Sequence, residues 1–105
     1  MTLREEIQQA YPSKSVKRCK IRVIDEEYAE VFNLTVNKIY NAVYVKIASQ
    51  ETECVYRVVV FYKNDNGAYI HSYYRHQEHT EFTIDEFNDN VWWIEMLKGG
   101  MSNLK

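Results

Sequence analysis

The chain has 105 residues, 46% of them apolar and 27% charged, with a net charge of −2; this excludes a disordered chain and leaves room for one core, not two. Nine Tyr, four Phe and two Trp make that core depend on amphipathic rings. The run Val58-Val59-Val60-Phe61 is far short of the roughly 18 apolar residues that a membrane-spanning helix needs, and the negative total opposes a global field for phosphate backbones.

Taken in order, Thr2-Leu3-Arg4-Glu5 has the spacing of a capping box, in which the Thr hydroxyl accepts an orphan amide and the Glu reaches back. A short helix over residues 3–11 follows, with Leu3, Ile7 and Ala10 on one stripe and Tyr11-Pro12 as its stop. From Ser15 to Ile24 the side chains alternate, which predicts a half-buried strand with Cys19, Ile21 and Val23 inward and Arg18, Lys20 and Arg22 outward. Asp25-Glu26-Glu27 breaks it, and Tyr28 to Phe32 is either one loose helical turn or an irregular crossing.

A second strand is predicted over Ile39–Ala48, its apolar face formed by Ile39, Val43, Val45 and Ile47 with Asn41 as the exception. Cys54 to Tyr62 is apolar on both faces except at Arg57, the pattern of a central strand covered on each side. Asn64-Asp65-Asn66-Gly67 is the strongest local signal, read as Asn-Gly closing a two-residue hairpin. The next strand is Ala68 to Tyr74. Phe82 to Phe87 reads as a short helical turn, and Val91 to Leu97 as a closing strand or a helix end. The β-rich core therefore spans 15–97, and the tail 98–105, after Gly99-Gly100, is expected to fray. The expected class is mainly β (α+β): a small, partly open antiparallel barrel or twisted sheet with an amino-terminal helix.

Three segments carry a resemblance: Leu34-Thr35-Val36-Asn37-Lys38-Ile39-Tyr40, then Asn64-Asp65-Asn66-Gly67, then Asp85-Glu86-Phe87. Together they resemble the pattern of small SH3-like barrel accessory proteins of bacteriophages that infect Gram-positive bacteria, where "L-T-x-G-K-x-Y", "N-D-x-G" and an acidic-aromatic ending recur. The family has Gly where this chain has Asn37, and Asn tolerates the same left-handed backbone. The resemblance implies a phage origin and an accessory role, often interference with a host enzyme or defence system. It transfers no functional residue, because the shared positions are structural. The amino terminus lacks the basic and apolar blocks of a secretory signal, so the expected location is cytoplasmic, that of the host cell for a phage-encoded chain.

No catalytic centre assembles from these residues. His71, His76 and His79 are close in sequence but read as solvated loop histidines, since a zinc site needs four converging ligands. Cys19 and Cys54 lie in separate predicted strands and read as buried thiols. The acids Glu78, Glu81, Asp85 and Glu86 read as a solvated face, because a catalytic pair needs two unlike environments. No nucleophile elbow or phosphate loop exists among three glycines. No cofactor or metal is expected.

Charge is distributed unevenly. One candidate partner surface is the acidic and aromatic end, Glu78, Glu81, Asp85, Glu86, Asp89, Trp92 and Trp93, suited to a host protein with a basic surface. If Val91 to Leu97 is a strand, one Trp faces the core and the other points outward. The alternative is a single-stranded nucleic-acid platform made by Arg18, Lys20 and Arg22, with Tyr40 and Tyr44 on the neighbouring strand.

Overall fold

The computed structural model describes residues 1–48, 56–76 and 82–98. In chain order the elements are α1 (Leu3–Ala10), β1 (Lys17–Val23), α2 (Glu26–Phe32), β2 (Ile39–Ala48), β3 (Tyr56–Lys63), β4 (Tyr69–His76), α3 (Ile84–Asn90) and β5 (Ile94–Met96). All five strands pair antiparallel in the order β4-β3-β2-β1-β5. The sheet curls into an SH3-like half-barrel whose edge strands are β4 and β5.

The inner face holds the larger core. Cys19, Ile21 and Val23 of β1, Tyr40 and Ala42 of β2, Val58, Val60 and Tyr62 of β3 and Ile94 and Met96 of β5 are buried there, closed over by Ala29 of α2 and Phe87 of α3. The outer face is covered in its middle by α1, whose Ile7 packs with Val16, Val43, Val45 and Val59. Both faces of β2 are therefore covered. The predicted odd-numbered apolar face is in part the outer one, where Ile39 is exposed, and the even positions Tyr40 and Ala42 enter the main core. Alternation alone could not rank them, since a small Ala and a Tyr with a polar tip score weakly as core residues.

Local chemistry sets the helix ends. Thr2 and Glu5 form the capping box, Glu5 N donating to Thr2 Oγ1 at 3.2 Å and Thr2 N to Glu5 Oε1 at 3.2 Å. The Thr2 hydroxyl, donating to Glu5 Oε1 at 2.9 Å, and then the Thr2 N–H hold the Glu5 carboxyl below its ordinary range. The first strand ends at Val23 as expected, and Asp25 also caps α2 by accepting from Tyr28 N at 2.8 Å, so the helical one of the two readings of Tyr28 to Phe32 holds. Asn33 ends it in the left-handed conformation at φ 57, with Leu34 N donating to Ala29 O, the closure a Schellman end requires. Thr83 caps α3.

The hairpin between β3 and β4 is not the two-residue type. Lys63 pairs with Tyr69, Gly67 N donates to Asn64 O at 2.9 Å, and Asn64 N donates to Ala68 O at 2.9 Å. Only Gly67 has positive φ, at 82, so a turn over Asn64–Gly67 is followed by a left-handed Gly in the three-residue loop with a bulge. The Asn64 Oδ1 accepts from Asn66 N and Ala68 N, stapling the loop.

The reason lies outside the hairpin. Asp65 points back to accept from Lys38 Nζ at 2.9 Å, Thr35 Oγ1 at 2.7 Å and Tyr40 OH at 2.8 Å, while Asn64 Nδ2 donates to Phe32 O. The two motif segments are thus two halves of one lock. Lys38 first, then Thr35 and Tyr40, hold the Asp65 carboxyl down at about 2. Asn37 stands at φ 67, and its N–H donates to Val23 O at 2.8 Å.

Candidate functional site: an aromatic seam between acidic helices

The half-barrel opens between β4 and β5, and α2 and Trp93 line that seam. Ring centroids follow one another from Phe32 to Tyr28 at 4.7 Å, from Tyr28 to Trp93 at 5.9 Å and from Trp93 to Trp92 at 5.3 Å. The row is half-buried in its middle and open at its ends, Phe32 being 40% and Trp92 66% exposed. Between it and the strand segment His71–Arg75 of β4 runs a groove of about 450 Å³.

The floor of the groove is polar and rigid. Ser72, almost fully buried, takes the Trp93 Nε1 hydrogen at 3.0 Å and lies 2.9 Å from Tyr62 OH and 3.2 Å from Tyr28 OH, with the two tyrosines 2.6 Å apart. Four side chains from α2, β3, β4 and the approach to β5 are joined in this way. Burial raises the Tyr62 hydroxyl well above its ordinary value. The cluster holds rings in place.

Acids are concentrated on two helices. Helix α2 with its cap brings Asp25, Glu26, Glu27 and Glu30, helix α3 brings Asp85, Glu86 and Asp89, and neither helix contains Lys or Arg. The expected site residues divide as follows. Trp92 is the outward ring and Trp93 the half-buried one, held by Ser72. Asp85 pairs with Lys98, Glu86 lies 3.3 Å from His76 Nδ1, and Asp89 is exposed. Glu78 and Glu81 lie outside the described residues, as do His79 and Cys54.

No protein-family model, curated protein or solved structure matches this chain.

Two sequence expectations are corrected by register. Arg18, Lys20 and Arg22 stand opposite Val43, Asn41 and Ile39 on the outer face, whereas Tyr40 and Tyr44 lie opposite Ile21 and Lys17 on the inner one. The basic strand and those tyrosines therefore share no platform, because a period of two sends neighbouring positions to opposite sides. Tyr40 is buried and spent on Asp65, Tyr44 packs edge-on to Phe82 at 5.1 Å, and Arg22 is paired with Glu95 at 2.7 Å. The second correction concerns the histidines: His76 is a buried residue on β4, not a loop residue, and His71 lies on the same strand pointing outward.

Among the described residues no group of three or more His, Cys, Asp or Glu could hold a metal, and no helix is long and apolar enough to cross a membrane. Cys19 is buried and free, and burial pushes its thiol up to about 12, which removes the thiolate that reactivity needs. Sequence reasoning missed Phe32, Tyr28 and the acids of α2. The available signal was the spacing of Tyr28 and Phe32, four apart on one helix face, beside an acidic cap.

Proposed function

We propose that the protein acts without catalysis, as a phage-type accessory protein that occupies a basic surface of another protein, a host macromolecule, and so inhibits or redirects it. The observation that carries this reading is the row Phe32, Tyr28, Trp93 and Trp92, whose first two rings stand on α2 and whose last two follow α3 in the chain, two helices that bear acids and no bases. Exposed Trp and Phe are the anchors on which binding energy concentrates, carboxylates around them select a cationic partner and steer its approach, and an Arg or Lys of that partner gains further by lying on a ring face. The Ser72 cluster supports the same reading, since an anchor already ordered before binding loses little entropy on contact.

Occupancy predicts inhibition that saturates at a fixed molar ratio, persists in EDTA and weakens with salt, because the Debye length falls from about 10 Å at 0.1 M to about 3 Å at 1 M. The test is capture from nuclease-treated bacterial lysate by the immobilised protein and by its Trp92→Ala and Phe32→Ala variants. A basic partner retained by the parent and lost from both variants supports the reading. A partner that survives both substitutions yet is lost on Arg18→Glu with Lys20→Glu places the surface on the outer face and ends it.

A further inference from the structure

The outer face carries a second group of side chains, some of which also border the groove beside the seam. Beyond α1 the outward positions of β4 are Tyr69, His71, Tyr73 and Arg75, facing Lys63, Phe61, Val59 and Arg57 of β3. Tyr69 and Tyr73 are 50% and 47% exposed. Each has a cation against its ring: Lys63 lies 5.0 Å from the centroid of Tyr69 and Arg57 lies 5.6 Å from that of Tyr73. Beside Tyr73 the surface sinks into a hollow of about 310 Å³, walled by Tyr11 of α1, Phe61 and His71.

Charge on this patch has one sign where the strands form it. The outward positions of β3 and β4 include no carboxylate, and the nearby acid Glu6 on α1 is engaged by Lys63 at 3.4 Å. Spacing is the second argument. Tyr69 and Tyr73 stand four positions apart on one strand, about 14 Å, roughly four times the 3.4 Å rise of bases stacked in a helix. Bases laid along β4 are thus pulled off one another and free to stack on separate rings. A duplex hides those base faces; a single strand presents them.

We propose that the β3–β4 outer face binds single-stranded nucleic acid, with bases stacked on Tyr73 and Tyr69 and phosphates met by Arg57, Arg75 and Lys63. The site does not use the aromatic row, although Tyr73 and Arg75 also border the groove beside that row, and it differs from the basic strand β1, where Arg18 and Lys20 have no exposed ring in register. Contacts to base faces and phosphates do not read the sugar, so oligothymidylate and oligouridylate bind with affinities of the same order.

The experiment is fluorescence anisotropy of the full chain with a labelled oligothymidylate of about 15 nucleotides at about 50 mM salt. Saturable binding is expected, at least about tenfold tighter than to a duplex of equal length. Three phosphate contacts give a slope of log affinity against log salt near −2, and Arg75→Ala reduces it by about 0.7. Tyr73→Ala weakens binding at least about fivefold while Tyr73→Phe, which keeps the ring, retains it. Trp92→Ala has no effect, which separates this site from the seam. Absence of saturable binding, equal binding of duplex, equal binding of a polyglutamate peptide, or unchanged affinity and slope in Arg75→Ala each overturns the proposal. Arg75 is exposed, so its variant carries the test even where Tyr73→Ala fails to fold.

Discussion

Ser72→Ala removes one oxygen from the middle of the seam and is the sharpest probe of how the aromatic row is held. The Ser72 hydroxyl has three polar neighbours, Trp93 Nε1 at 3.0 Å, Tyr62 OH at 2.9 Å and Tyr28 OH at 3.2 Å. After the substitution the two tyrosines still bond each other at 2.6 Å, but the half-buried Trp93 N–H loses its acceptor and each tyrosine its second partner. A buried donor left unmade costs about 1–3 kcal/mol, and partial exposure of Trp93 places the total near the lower half, about 1–2 kcal/mol. For a chain of this size each kcal/mol lowers Tm by about 4–8 °C. Urea unfolding followed by circular dichroism measures the loss, and tryptophan emission reports the freed indole. Tyr62→Phe should cost less, about 1 kcal/mol, and the double variant should fall short of the sum by at least about 0.5 kcal/mol, since both changes break one network. Additive losses, or a Ser72→Ala midpoint within about 0.5 kcal/mol of the parent with unchanged emission, would refute the claim that this hydroxyl orders the row.

Gly67→Val should destabilise by about 1 kcal/mol or more, measured by urea midpoint; nothing lies within 4 Å of the added Cβ, so the whole cost is that of a β-branched residue at φ 82. Asn37→Gly, which restores the residue of the resembling family, should leave the thermal midpoint within about 4 °C, whereas Asn37→Val should lower it by more, because φ 67 excludes a β-branched side chain far more strongly than Asn. The Asp65 carboxyl is held at about 2 in the folded protein against an ordinary 3.8, so its contribution is complete above the unfolded value and disappears as pH falls through the folded one. Urea midpoints of the parent and of Asp65→Asn should therefore differ by a constant amount above pH about 5 and converge between about 4 and 2; a gap that is flat through this range would show that Asp65 does not carry the lock.

What the chain alone determined was local and periodic. Thr2 and Glu5 announced the first helix, alternation from Cys19 to Val23 the first strand and its inward side, and the doubly apolar run at Val58 to Tyr62 a covered inner strand. Each depends on neighbours within a few positions, where side-chain spacing and backbone sterics act directly. Tertiary structure decided the rest. The hairpin became a three-residue loop because Asp65 is drawn to Thr35, Lys38 and Tyr40, residues 25 to 30 positions away. Register placed Tyr40 and Tyr44 on the opposite side from Arg18 and Lys20, and it put Tyr73 and Tyr69 beside Arg57 and Lys63, a pairing no local pattern contains. The row from Phe32 to Trp92 joins α2 to the approach of β5 because Ile24 N and Asp25 N both donate to Trp93 O. Such contacts form only once a curled sheet closes distant segments onto one another, and the closure is driven by burial summed over the whole core, not by any segment's own preference.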